Sequence, residues 1–262
     1  MATAVFFHAH PDDEAIASGG TMARAKDAGH RVVLVLATRG ELGEPVPGVL
    51  RDDEELGARR SEEVRASAQI LGVDRVEFLG YRDSGMIGEP SNDDERCFWQ
   101  SDVDTAAARL ATILTDEDAS VVCLYDDHGG YGHPDHIQVH RVGVRAAELV
   151  GTPKVFQMTM NRDRIMNQMT AGELGDEFEE RRASMDMNEF GSPEAIITHA
   201  IDVREYIDRK RAAMLAHASQ IGPDSFFLQM PEQAFVDAFG WEWFIEFGQA
   251  RNGVAFGADL FS

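Results

Sequence analysis

The chain has 262 residues, 44% of them hydrophobic and 27% charged, and carries a net charge of −22. That length suits one large α/β domain with a sizeable core, and the charge argues against nucleic acid or an anionic membrane surface as a partner. Two cysteines, Cys97 and Cys123, make no disulfide framework, and no window reaches roughly 18 apolar residues, so a cytoplasmic protein outside the membrane is expected.

Short apolar runs alternate with helix-period stretches through the first part of the chain. Strands are predicted at 3–8 (TAVFFH), 31–38 (RVVLVLAT), 75–80 (RVEFLG), 120–125 (SVVCLY) and 154–159 (KVFQMT), with helices at 13–28, 53–72, 102–115 and 135–149. This alternation predicts an α/β fold, a Rossmann-like and mostly parallel sheet with helices on both faces. After about residue 160 comes a Met-rich charged stretch, holding six of the eleven methionines between 158 and 187. It is read as flexible packing of a second layer or as a mobile cover over a pocket. A strand within AIITHAIDV (195–203), a helix near 204–217 and the aromatic segment FGWEWFIEF (239–247) follow. We expect a single domain over 1–262, with a core at about 1–160 and a smaller C-terminal α/β elaboration. The aromatic segment is either core or a homo-oligomer face.

The first strand is not followed by the dinucleotide fingerprint G-x-G-x-x-G but by HAHPDDE. In an open parallel sheet, ligands bind beyond the carboxyl ends of the strands. The segments found there are AHPDDE, TRGELGE, YRDSGM and DDHGGYGHPDH, and they hold four of the nine histidines. Solvation alone does not explain four loops of this kind on one edge.

Pro11 suits the first position of a helix, and acidic residues complement its dipole, which accounts for Asp12, Asp13 and Glu14 in purely structural terms. His10 is not accounted for. His10 and Asp13 lie three apart and can face one point, with Asp12 turned aside. His133 and His136 repeat this spacing after the fourth strand; His140, a turn later, reads as a surface or packing residue. Three ligands with an open fourth position are what catalytic zinc requires. His10, Asp13 and His136 form such a set, which would equally make a facial triad for Fe²⁺. Asp12 then suits a general base and His133 an oxyanion stabiliser, with Asp135 holding His133 in tautomer and charge. Arg60 falls in the apolar stripe Leu56, Val64, Ala68, Leu71 of its helix. A charge aimed inward needs a partner: either a core carboxylate such as Asp83 or a polar substrate. Asp83 itself is equally readable as an Asx-turn residue.

With AHPDDE (9–14) and HPDH (133–136) in this strand order, the chain resembles the PIG-L/LmbE-like family of zinc-dependent N-deacetylases. RRSEEVRASAQILGV, YRDSGM, GGYGHPDH and DRKRAAMLAHASQI extend the resemblance nearly end to end. The resemblance implies a Rossmann-like fold and hydrolysis of an N-acetyl group from an N-acetylglucosaminyl small molecule. It also implies zinc (or iron in the cell) on His10, Asp13 and His136, with Asp12 as base and His133, paired to Asp135, as oxyanion stabiliser and acid. Tyr131 would assist the carbonyl, and Arg60 and Asp83 match positions that contact a sugar–inositol substrate. The conjugate-amidase relatives carry a Lys shortly after HPDDE where this chain has Ala15, Ile16 and Ala17, which disfavours that activity. An Fe²⁺-dependent oxygenase and a non-catalytic small-molecule-binding relative are the other readings. His217 is expected as a packing residue, His8 as a core residue or a partner of the site, and Glu14 as a partner of the site or a cap.

Overall fold

The first two strands, β1 (Thr3–His8) and β2 (Arg31–Leu36), are buried at every position but the first, so their sequences are continuous apolar runs without alternation. That pattern belongs to a parallel sheet covered on both faces. The computed structural model, which describes residues 1–170, 190–251 and 253–262, adds β3 (Arg75–Phe78), β4 (Ala119–Tyr125), β5 (Lys154–Thr159), β6 (His199–Asp202) and β7 (Trp241–Glu246). Their order in one seven-stranded sheet is β3-β2-β1-β4-β5-β7-β6. The first five are parallel; β7 pairs antiparallel with both β5 and β6.

Strand order reverses between β1 and β4, and this switch point opens the crevice where ligands bind in such sheets. Helices α1 (Asp13–Ala17), α2 (Gly19–Asp27), α3 (Leu56–Leu71) and α7 (Ile207–Ala216) form one layer. On the other side α4 (Val103–Asp116) packs on α5 (Pro134–Val150). The remaining described helices are α6 (Arg162–Thr170), α8 (Phe226–Gln229) and α9 (Glu232–Phe239). None of the described helices is long and apolar enough to cross a membrane.

Strand and helix limits match the expected ones closely up to β5. The helix expected over 13–28 is instead broken at Ser18 (φ −142°, ψ 9°) into α1 and α2. The break creates a second helix start, and the buried Glu242 carboxylate of β7 accepts from the N–H groups of Gly20 (2.9 Å) and Thr21 (2.8 Å). Lys210 of α7 pairs with the same carboxylate at 2.5 Å. Gly20 faces Val203 so closely that no side chain fits between them. The strand expected in 195–203 is reduced to β6, with a 3₁₀ turn at Glu194–Ile196 before it. The aromatic segment forms β7, inserted between β5 and β6, and its Phe244 is fully buried. Much of the Met-rich stretch, residues 171–187, lies outside the described residues.

Candidate active site

Two helix starts deliver the polar residues. β1 ends at His8, and the chain turns through His10 and Pro11 into α1. Asp12 stands at the N-cap with φ 111°, a conformation that costs a non-glycine residue about 1–3 kcal/mol. Its side chain makes no capping bond, and the carboxylate turns instead to Arg60, 3.2 Å away. Asp13 turns the other way: its Oδ2 accepts from the His10 N–H (2.9 Å) and lies 3.5 Å from His10 Nδ1 and 3.4 Å from His136 Nε2. After β4, Gly129, Gly130 and Gly132 all take positive φ, which lets the loop coil tightly before Pro134 starts α5. The buried Asp126 fixes this loop by accepting from Gly130 N–H and Thr159 Oγ1, both at 2.6 Å.

His10, His133 and His136 are buried together, their closest ring nitrogens all within 4.8 Å of one another. Among the described residues two groups sharing His10 could hold an ion, the three imidazoles and His10 with Asp83 and Asp135, while Asp13 of the set expected from sequence approaches both His10 and His136. The His136 ring stacks on Tyr125 (centroids 4.2 Å, planes 8° apart), and Tyr131 Oη lies 3.4 Å from its Nε2. Around His10 the electrostatics call for a cation. Burial alone lowers its pKa, but hydrogen bonds it donates to Asp13, Asp135 and Asp83 outweigh that and hold the imidazole well above its ordinary value. With Nε2 bonded to Asp135 (3.0 Å), Nδ1 is the nitrogen left to face Asp13. A ligating histidine whose other nitrogen is held by a carboxylate is the arrangement metal centres use. The donor set therefore fits a divalent metal.

Two partners differ from those expected. The Asp135 carboxylate bonds His10, Ser84 N–H (3.0 Å) and Ser84 Oγ, not the His133 ring. His133 is the N-cap of α5, its Nδ1 accepting from Asp135 N–H at 3.1 Å. The reason is local: a residue at the cap position meets the backbone of the turn it starts, whereas Asp135, two residues on in the same turn, faces across the crevice. The carboxylate partner of Arg60 is Asp12 and not Asp83; it also donates to Gly40 O (2.8 Å) and Pro11 O. Asp83 accepts from Leu42 N–H (3.1 Å) and Gly85 N–H (2.9 Å) and lies 3.6 Å from His10 Nε2.

Burial raises the Asp12 pKa to about 6, with Arg60 opposing the rise. The His133 pKa falls to about 3, through burial first and then the neighbouring His10 and His136, so its ring is neutral. Behind Asp12 lies a layer that no single motif announced. The buried Glu14 accepts from Asp12 N–H (2.9 Å) and from the buried Ser67 Oγ (2.6 Å) and His217 Nε2 (2.6 Å). Against burial, His217 and Ser67 lower the Glu14 pKa, while Glu14 and Asp12 raise that of His217. His8 bonds Tyr125 Oη and Ser18 Oγ, each at 2.9 Å, and His140 Nδ1 bonds Tyr125 O at 3.0 Å. Ser84 and Tyr125 were not singled out from sequence; their position at strand ends beside AHPDDE and HPDH was the available signal.

The solved structures with this architecture do not all catalyse one reaction. N,N'-diacetylchitobiose deacetylase from Pyrococcus horikoshii aligns over 93% of this chain and 83% of its own with a TM-score of 0.61 at 19% identity. The 4-carboxy-2-hydroxymuconate hydratase of Pseudomonas putida KT2440 aligns over 97% and 100% with a TM-score of 0.62 at 20% identity. At such identities the likeness shows the fold. Sequence similarity is narrower. The 1D-myo-inositol 2-acetamido-2-deoxy-alpha-D-glucopyranoside deacetylase of Acidothermus cellulolyticus is 42% identical over 251 residues, covering 91% of this chain and 86% of its own. The sequence profile of PIG-L, GlcNAc-PI de-N-acetylase, matches residues 5–147, a stretch that spans both helix starts and every candidate ligand. The chain therefore belongs to the PIG-L family of de-N-acetylases.

Proposed function

We propose that this enzyme hydrolyses the N-acetyl amide of an N-acetylglucosaminyl small molecule, with the inositol glycoside named for the 42%-identical relative as the first candidate substrate. The observation that carries the mechanism is the divergence of two adjacent carboxylates: Asp13 turns onto His10 and His136, and Asp12 turns off them onto Arg60. One is placed to bind metal and the other left free to move a proton.

His10, Asp13 and His136 would hold the metal, zinc by this donor set or iron in the cell. The ion supplies Lewis acidity toward water and toward the amide carbonyl. Asp12 takes the proton of the attacking water, and the Arg60 guanidinium favours its charged form. His133 keeps a proton on Nε2, because its Nδ1 is committed to Asp135 N–H. From Nε2–H it hydrogen-bonds the developing oxyanion and stays neutral, with the Tyr131 hydroxyl beside the same oxygen; the proton that Asp12 took from the water passes to the leaving nitrogen, in place of the acid role the resemblance implies for His133. Asp135 acts on this chemistry by orienting His10. Asp83 and Arg60 are the residues proposed to meet a sugar hydroxyl, as the resemblance implies. Both cysteines are free and buried, which supports a reducing, cytoplasmic setting.

The test is amine release from a panel of N-acetylglucosaminyl compounds, the inositol glycoside and a thiol-sugar conjugate included, with and without a chelator. Chelator-sensitive acetate and amine release from the glycoside is expected. Cleavage of the conjugate amide alone would replace this reading with an amidase, and oxygen uptake with an oxygenase.

A further inference from the structure

The catalytic scheme leaves several buried titratable groups unused, His217 among them. His217 ends α7, some two hundred residues from Asp12 in sequence, yet its ring is fully buried against α1. Its Nε2 lies 2.6 Å from Glu14 Oε1, and the other oxygen, Oε2, accepts the Asp12 N–H at 2.9 Å. One carboxylate thus ties α7 to the backbone of the residue that carries the base.

The tie falls where the backbone needs it. Asp12 has φ 111°, and with an ordinary cap geometry its side chain would fold back onto the first turn of α1. Pinning its N–H to Glu14 holds the peptide in the unusual conformation that sends the carboxylate to Arg60. Glu14 cannot swing away, because Ser67 Oγ of α3 and His217 share its Oε1. His217 cannot retreat either: the buried Glu63 of α3 takes Ser219 N–H (2.9 Å) and Ser219 Oγ (2.6 Å), docking the segment that follows the ring.

We propose that His217 is a positioning residue for Asp12, acting through Glu14 to hold the Asp12 peptide in its left-handed conformation. The proposal rests on the reading of Asp12 as general base.

The test uses the full-length, zinc-loaded enzyme with H217L, H217Q and D12N in parallel. Gln places an amide nitrogen near the position of the imidazole Nε2, so it can donate to the same Glu14 oxygen. H217L should lower kcat about 10²-fold, the scale of a small misplacement, with KM within about twofold and zinc stoichiometry unchanged. H217Q should recover most of the lost kcat. Independently of turnover, the Asp12 amide, followed by NMR hydrogen exchange, should exchange faster in H217L than in wild type or H217Q.

Wild-type kcat in H217L, or parallel loss of kcat, zinc and melting temperature without rescue by H217Q, would overturn the proposal. If H217L does not fold, S67A, which removes the companion donor from Oε1, should give a smaller loss of the same kind; unchanged kcat there would also overturn it. Full activity in D12N would sink the base reading and this inference together. Inactive D12N beside fully active H217L would sink this inference alone.

Discussion

The two ends of the sheet treat charge in opposite ways. At the amino ends of β2, β3 and β4, Arg31 and Arg75 pair with Glu117 at 2.5 and 2.9 Å, and Lys26 pairs with Asp74 at 2.5 Å. The cations there stand partly in solvent, with the Arg31 side chain 42% exposed, around a Glu117 side chain that is 7% exposed. At the carboxyl ends, Asp135 is fully buried and Arg60 is 4% exposed, and charged groups crowd around three imidazoles. Exposed pairs contribute little, because water screens the attraction and two long side chains must be ordered. Buried charges cost much unless each finds a partner. A fold keeps such a cluster only where the pairing itself does something, and here it turns the neighbouring carboxylates Asp12 and Asp13 onto different partners.

Substitutions at the two ends should therefore separate sharply. D12N should lower kcat by about 10²–10⁴-fold with the fold intact, the range for removing a general base. Turnover within tenfold of wild type, measured by amine release, would erase the distinction between the ends. D135N frees His10 Nε2 from its carboxylate and should weaken zinc binding by about 10–100-fold in competition with a chromogenic chelator. Unchanged affinity would mean that Asp135 does not orient a ligand.

R60M sharpens the contrast through pH. Asp12 must be ionised to accept a proton, and burial has already raised its pKa to about 6. Activity should thus fall as pH drops through that region. Because Arg60 opposes the rise, removing it should move the acidic limb of kcat/KM to higher pH. A limb that stays put would show that another group titrates there.

The smallest effect belongs at the amino end. Arg31 first, and then Arg75 against the effect of burial, lower the Glu117 pKa from 4.5 to about 2. A lowered carboxyl pKa contributes stability that is complete above its ordinary value. That contribution disappears as pH falls from 4.5 toward about 2. E117Q should cost about 1 kcal/mol or less in urea unfolding at pH 7, and nothing near pH 2. A loss comparable to a core cavity would mean this end is as demanding as the other.

The parallel strands were legible because burial on both faces demands continuous apolar runs, and the candidate ligands because H-x-x-D and H-x-x-H place two side chains on one side of a helical turn. The break at Ser18 was not legible, since it follows from Glu242, which arrives from β7 to cap α2. Nor were the partners of Asp135 and Arg60. Spacing tells which way a side chain leaves its own helix but not what crosses the crevice to meet it. His217 shows the same limit, as nothing local in AHASQI indicates Glu14.

By itself the sequence determined an α/β sheet with polar loops at its carboxyl edge and two helix starts carrying the candidate ligands, because backbone period and turn chemistry are local properties. Tertiary structure decided that β7 enters antiparallel between β5 and β6, that Asp135 serves His10, and that Arg60 and the Glu14–His217 pair converge on Asp12. Those are contacts between segments far apart in the chain. Which distant partner wins depends on how the helical layers pack over the sheet, and no window of residues contains that information.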